Sequence, residues 1–266
     1  MLWARFALGA GLFAWLSGSG AAFAGAWTLP AGKGQLILTS LASFAAGAFG
    51  SGSAREPAPD HQKFEAQALL EYGVTDRFTA IAMPSLQEIA IATPTAAHRR
   101  GLGYSEFGGR YRVFEFGGWV ASGQASVRIP GTNATSNPAA LGYTDPEFDL
   151  RALIGTSFGL FGLPAFANIE AAHRVRGGRP PDELRADITL GVQASSRLLL
   201  LLQSYNVISE GAGAPPFASY AYAKLQVSAV YALTPSLSLQ AGAVTTYTGH
   251  NALQENALVF GVWYRF

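Results

Sequence analysis

LVFGVWYRF, residues 258–266, is the stretch that decides the fold. Side chains of a β-strand point alternately to its two faces, so every second residue shares a face. One face of this stretch carries Leu258, Phe260, Val262, Tyr264 and Phe266. The other face is mixed, because it carries Val259, Gly261, Trp263 and Arg265. The pattern predicts a strand with one apolar face and one face that accepts charge.

An aromatic residue at the end of such a strand resembles the C-terminal signature of bacterial outer-membrane β-barrel proteins. The resemblance implies that Phe260, Tyr264 and Phe266 form an assembly signal that the barrel assembly machinery reads. A chain of this class also needs an export signal near its start and an even number of similar strands.

The first residues have the features of a signal peptide. Arg5 gives a short basic region, and the apolar run from Phe6 to Leu16 is too short to cross a bilayer as a helix. Ala22-Phe23-Ala24 fits the small-x-small cleavage pattern. We predict a signal peptide over residues 1–24 and a barrel domain over residues 25–266. An uncleaved membrane anchor is the alternative.

The composition favours a membrane barrel over a soluble domain. Hydrophobic residues make up 49% of the chain and charged residues only 13%, against about 25% charged in a typical soluble domain. The predicted mature part has no run near the ~20 apolar residues of a transmembrane helix. Without Arg5, 17 basic residues face 17 acidic ones, so we expect no nucleic-acid partner. The absence of cysteine excludes disulfides and thiolate metal sites.

The alternation recurs along the chain and predicts about twelve strands. Tight turns follow the even-numbered strands, while longer connections rich in glycine and proline follow most odd-numbered ones, with the longest over residues 50–60 and 130–146. This asymmetry is typical of outer-membrane barrels. The predicted fold class is all-β, a single antiparallel transmembrane β-barrel in the bacterial outer membrane. A soluble β-sandwich is the alternative, but its outer faces should be polar.

The charged residues of the predicted strands alternate with apolar ones. A charge that faces lipid near the midplane costs about 2–4 kcal/mol, so the charged face must line the lumen. These candidates are Lys63, Glu65, Glu71, Glu106, Arg110, Arg112, Arg128, Asp149, Arg151, Glu170, Arg174, Arg185, Asp187, Lys224 and Glu255. They either rigidify a nearly closed lumen or line a narrow polar pathway and set its selectivity, and the two roles can coexist.

The sequence contains no recognisable catalytic constellation. None of the four histidines, His61, His98, His173 and His250, is followed two residues later by a serine, the spacing used by lipid-modifying outer-membrane enzymes. A triad assembled across strands stays open. No metal-ligand spacing or nucleotide-binding loop is present. We therefore predict no catalytic residues, no metal and no cofactor. The basic run His98-Arg99-Arg100 is interpreted as a surface loop that contacts lipopolysaccharide phosphates.

The chain also resembles outer-membrane transporter barrels of the meta-pathway phenol-degradation type. The resemblance is carried by the start Ala26 to Pro30, by LEYGVTDR at residues 70–77 and by the final Tyr-Arg-Phe. It implies uptake of small solutes, with aromatic or apolar molecules among them, and outer-membrane lipid and lipopolysaccharide as surroundings. A plugged barrel with a structural, adhesive or lipid-modifying enzymatic role is the alternative.

Overall fold

The computed structural model describes residues 25–92, 96–133, 136–140 and 144–266. The predicted signal peptide lies outside these residues. No helix of the described residues is long and apolar enough to cross a membrane. A short 3₁₀ helix spans Pro138–Ala140. The strands are β1 (Gly34–Phe49), β2 (Arg55–Thr75), β3 (Phe78–Met83), β4 (Ser85–Ile91), β5 (Ala97–Leu102), β6 (Ser105–Phe116), β7 (Trp119–Ile129), β8 (Glu147–Leu160), β9 (Leu163–Arg176), β10 (Glu183–Gln193), β11 (Leu198–Ser209), β12 (Ala221–Ala232), β13 (Leu237–His250), β14 (Ala252–Leu253) and β15 (Asn256–Arg265).

The strands form one antiparallel sheet that closes on itself. β1 pairs with β2 along one edge and with β15 along the other, so the first and last strands of the chain are neighbours. Three pairs of segments, β3 with β4, β5 with β6 and β14 with β15, are single strands with a short interruption. The fifteen segments of the described residues therefore make a closed barrel of twelve strands. This confirms the predicted fold class and strand number.

Two boundaries differ from the sequence-based expectation. β2 begins at Arg55, so the predicted long loop at residues 50–60 shrinks to residues 50–54. Residues 97–102, predicted as a loop, form β5 and pair with β4. In both places the backbone extends into paired strand because pairing satisfies its N–H and C=O groups. Pro84, which lacks an N–H, separates β3 from β4.

β8 shows the two faces of the wall most clearly. Asp149 is 1% exposed, whereas its neighbours Phe148 and Leu150 are 44% and 51% exposed. In a closed barrel the covered face is the interior and the exposed apolar face meets lipid. Arg151 and Glu65 also lie on the interior face, where each forms ion pairs. The apolar residues thus point outward and the ionic ones inward.

The connections differ between the two ends of the barrel. At one end the turns are short, as at Gly117-Gly118, where both glycines adopt positive φ (59° and 84°) that a side chain would strain. At the other end lie the longer connections, including residues 130–146 and 210–220. Short turns face the periplasm in barrels of this class. β1 starts and β15 ends at this same end.

Apolar side chains fill the periplasmic half of the interior. Ile37 on β1 and Trp263 on β15 pack in one buried cluster with residues from strands across the barrel, namely Phe166, Leu199, Leu201 and Val230. Opposite walls therefore touch at this level. Most of the charged inward residues lie closer to the long connections, whereas Arg112 lies near a periplasmic turn.

Candidate functional site

The segment Gly25–Leu29 lies inside the barrel, and we call it the plug. Ala26 is fully buried and Trp27 packs against both apolar clusters of the periplasmic half. The ring of Trp27 meets the ring of Phe166 edge-on, with centroids 5.9 Å apart. The plug thus occupies interior space that the barrel strands leave unfilled.

Side chains from several strands form hydrogen bonds with the backbone groups of the plug. The amide of Leu29 donates to Thr79 Oγ1 (2.8 Å), and the carbonyl of Trp27 accepts from Arg110 Nη1 (3.1 Å). The amide of Ala26 donates to Asn168 Oδ1 (2.9 Å). A segment without secondary structure can stay buried only with such partners. The plug is therefore held in a defined position.

Arg110 joins the plug to the wall. Besides the carbonyl of Trp27, it donates to Gln124 Oε1 (3.1 and 3.0 Å) and lies 3.1 Å from Glu71 Oε1. Gln35 also donates to Glu71. Because the guanidinium carries five N–H donors in a fixed plane, one side chain can serve all three partners.

Above the plug, charged side chains of neighbouring strands form one connected cluster, which we call the lumen ion network. Every member makes at least one ion pair within 4.0 Å with another member. The members are Glu106, Arg128, Glu147, Asp149, Arg151, Glu170, Arg174, Arg176, Glu183, Arg185 and Asp187.

The strand register creates this network. Arg128 stands directly opposite Glu147 across the β7–β8 pair, and Arg174 stands opposite Asp149 across the β8–β9 pair. Arg174 Nη2 lies 2.9 Å from Asp149 Oδ2. Opposite charges at directly paired positions attract, so the register and the charge pattern support each other.

The outer end of the network includes a tyrosine outside the strands. Tyr220 donates to Glu183 Oε1 (2.5 Å) and accepts from Arg176 Nη1 (2.9 Å). Burial, together with the negative charge of Glu183, raises the pKa of Tyr220 above its ordinary value. The hydroxyl therefore stays protonated at neutral pH and acts as a donor.

The opposite wall of the interior is polar and carries few charges, among them the pair of Lys224 and Glu255. Gln226 Nε2 donates to Gln203 Oε1 (3.0 Å), and Gln240 Nε2 donates to Ser228 Oγ (3.0 Å). Trp263 Nε1 donates to Gln240 Oε1 (3.0 Å), which links this row to the apolar cluster. The interior therefore has a charged side on β6–β10 and an amide-rich side on β11–β15.

All fifteen sequence-predicted lumen residues lie on the interior face. Eight of them belong to the lumen ion network, and Glu71 pairs with Arg110. Lys63 lies 3.4 Å from Glu65, and Lys224 pairs with Glu255 near the outer end. Arg112 is the remaining one and pairs with Glu115 near a periplasmic turn. The selectivity role of these residues stays a prediction.

Three network members are not among the fifteen lumen candidates from the sequence, and sequence reasoning missed the whole plug. Alternation places Glu147 and Glu183 on the charged faces of their strands, whereas Arg176 was expected in a loop and is the last residue of β9. The plug offers no such signal because it has no regular structure. The three residues of the predicted assembly signal, Phe260, Tyr264 and Phe266, all lie on the outer face.

Two of the four histidines pair with carboxylates on the outside of the barrel. His98 Nε2 lies 3.1 Å from Glu88, and His173 Nε2 lies 3.3 Å from Glu210. Asp182 joins the second pair, and the three ligand atoms lie within 4.8 Å of one another, a composition compatible with a metal ion. Linear spacing could not reveal this group because its members lie on a strand and in two separate connections.

The sequence matches no protein-family model and no curated protein sequence. A COG4313 outer membrane channel from Pseudomonas putida F1 has a similar structure, with a TM-score of 0.71 and 13% identity over 91% of this chain and 98% of that chain. The chain has the fold of a bacterial outer-membrane β-barrel. The translocator domain of the autotransporter NalP from Neisseria meningitidis (TM-score 0.55, 11% identity, 88% of each chain) and the NanC porin (0.52, 10%, 85% and 98%) share it. Together with the apolar outer face, these likenesses support the predicted outer-membrane location.

Proposed function

We propose that this protein is a non-catalytic outer-membrane channel for small solutes, with a pathway narrowed by the plug and the lumen ion network. The observation that carries the proposal is the two-sided interior, in which ionised side chains face a row of glutamine and serine side chains. A barrel that served only as a scaffold gains no stability from such a lining, because buried ion pairs seldom exceed apolar packing in stability. The similar structure described as an outer membrane channel supports the same function.

The lining suggests the class of solute. The upper half of the interior offers charges and amides, whereas the lower half offers Trp27, Phe166 and Trp263. We infer small solutes with a polar group and an aromatic or apolar body, because each part then meets a matching layer. Apolar lining with a few placed polar groups is typical of sites for such molecules.

The outer surface suggests two partners besides membrane lipid. Phe260, Tyr264 and Phe266 are exposed on the lipid side, where the barrel assembly machinery can reach them. His98 and Arg100 also point outward, near the end with the long connections, and can meet lipopolysaccharide phosphates. Arg99 turns inward and donates to Gln87, so it takes no part in that contact.

Conductance tests the channel function. Purified protein in planar bilayers should give discrete current steps, and Trp27→Ala should increase them because it removes the largest side chain of the plug. Trp119→Ala is the matched control, since Trp119 is exposed on the outer face near a periplasmic turn. Loss of a lipid-facing tryptophan should leave the current unchanged.

Liposome swelling with small aromatic and sugar solutes gives the second readout. The proposal expects faster entry of the aromatic solutes and a further increase in the Trp27→Ala variant. Absence of current and of solute entry in both proteins would contradict a channel. It would favour a permanently plugged barrel, in which the plug serves stability.

A further inference from the structure

The lumen ion network has more anions than cations. It contains six carboxylates, on Glu106, Glu147, Asp149, Glu170, Glu183 and Asp187, but five arginines. The other ion pairs that involve interior residues are balanced: Glu71 with Arg110, Glu65 with Lys63, Glu255 with Lys224, and Arg112 with Glu115. Arg99 on β5 also turns inward and donates to Gln87, but it is not a member of the network. Within the network itself, one carboxylate has no matching arginine.

The surplus is concentrated at one place. Glu170 and Asp187 stand directly opposite each other across the β9–β10 pair, an arrangement that is unfavourable for like charges. Both share Arg151, whose Nη1 lies 2.5 Å from Glu170 and 2.7 Å from Asp187. Arg151 also contacts Asp149 at 3.4 Å, so one guanidinium serves three carboxylates. Oδ1 of Asp187 is buried and accepts no hydrogen bond.

The plug begins beside this anionic position. Gly25 lies so close to Asn168 that an added Cβ would stand 2.3 Å from its Cγ. Asn168 accepts from the amide of Ala26 at 2.9 Å and donates to Glu170 Oε1 at 2.7 Å. A single side chain therefore connects the first residue of the plug with the network.

We propose that removal of the signal peptide creates the missing cation, the α-ammonium group of Gly25, which docks beside Asn168 and Glu170 and neutralises the network. A signal endopeptidase adds water across the Ala24–Gly25 bond, leaving a carboxylate on Ala24 and an amine on Gly25. The amine takes up a proton at neutral pH, whereas the amide it replaces carries no charge. Processing thus both frees the plug and supplies the ion that holds it. The inference rests on the predicted cleavage site and deepens the proposed function.

A thermodynamic cycle that combines N-terminal acetylation with a substitution of Glu170 tests this directly. Mature protein beginning at Gly25, confirmed by mass spectrometry, is compared with the same protein carrying an N-terminal acetyl group, by urea unfolding in detergent micelles. Acetylation should lower the unfolding midpoint in the wild type, because it removes the charge. In Glu170→Gln the network is already balanced, so acetylation should lower the midpoint much less. Any steric effect of the acetyl group is the same in both proteins and cancels.

Glu65→Gln is the matched control for the cycle. It neutralises an interior carboxylate of a separate cluster, so the effect of acetylation should equal that in the wild type. Equal effects of acetylation in wild type and Glu170→Gln would overturn the proposal. A mature protein that begins at another residue would overturn it as well.

The pKa of the α-amine gives a readout independent of folding yield. Reductive ¹³C-methylation labels this amine and three lysines, Lys33, Lys63 and Lys224, while keeping their charge, so few resonances need assignment. The α-amine pKa should fall by about one unit or more in Glu170→Gln relative to wild type. Identical values near those of a free N-terminus, about 7.7–8.0, would show that the amine lies in solvent. Neither readout uses conductance, so failure of the inference is distinguishable from failure of the channel function.

Discussion

Gly73 on β2 and Pro30 at the entrance to the plug touch main chain to main chain, since a Cβ on Gly73 would lie 2.1 Å from the carbonyl oxygen of Pro30. The amide of Gly32 donates to the carbonyl of Gly73 at 2.8 Å, and the amide of Gly73 donates to the carbonyl of Lys33 at 2.9 Å. The path of the chain from the plug into β1 therefore requires glycine at position 73.

Gly73→Ala should displace the plug, because neither backbone can give way without losing these hydrogen bonds. We expect faster chymotrypsin cleavage after Trp27 and a loss of about 1–3 kcal/mol in unfolding free energy. Gly123→Ala is the matched control, since nothing lies within 4 Å of a Cβ at Gly123. Equal cleavage rates in the two variants would contradict the contact.

Asn168→Ala should weaken the inner end of the plug. It removes the acceptor of the Ala26 amide and the donor to Glu170 Oε1, while Glu170 keeps its ion pair with Arg151. We expect a loss of about 1–3 kcal/mol in unfolding free energy, measured by urea titration in micelles. Asn206→Ala is the control, since Asn206 donates to the carbonyl of Ala186 away from the plug. An equal loss in both variants would argue against plug docking by Asn168.

Arg151→Met should destabilise the barrel and change its ion selectivity. It leaves Asp149, Glu170 and Asp187 without their shared cation, and breaking such a buried pair costs about 3–5 kcal/mol. In bilayers the channel should shift toward cation selectivity, read from the reversal potential in a salt gradient.

The double variant Arg151→Met with Glu170→Gln should recover part of the lost stability, because it removes one of the stranded charges. Arg100→Met controls for arginine loss at a position where the side chain is 80% exposed. An unchanged reversal potential in Arg151→Met would contradict a role of the network in selectivity.

Leu150→Arg should test the lipid-facing surface. Leu150 lies between the buried Asp149 and Arg151 on β8 and points outward. A charge there should cost about 2–4 kcal/mol and reduce the yield of folded barrel in vesicles, seen as heat-modifiable mobility on gels. Leu233→Arg is the matched control, because Leu233 is similarly exposed but follows the end of β12 in a periplasmic turn. Equal yields would mean that Leu150 does not contact lipid.

The alternation of polar and apolar side chains along the sequence predicted which face of each strand points into the barrel. Over residues 147–151 of β8 and 183–189 of β10, every second residue is polar or charged, and the cost of a charge in lipid decides which face turns inward. This inference needs no knowledge of neighbouring strands, because the lipid surrounds the whole barrel. For the same reason, the interior position of residues such as Lys63 and Asp187 could be predicted from parity.

Side-chain contacts between neighbouring strands could not be predicted from this alternation. Arg151 reaches Glu170 and Asp187 on the next two strands only because of the register, which depends on turn geometry and on the closure of β1 against β15. The extension of the chain into β5 also depends on a partner strand.

The sequence by itself determined most of the strands, their faces and the sign of each interior charge. These follow from the two-residue period of a strand and from the lipid that surrounds the barrel. Only the tertiary structure decided which charges meet, and that residues 25–29 lie inside the barrel. The plug has no periodicity of its own, and its position depends on partners such as Asn168, 142 residues away from Ala26.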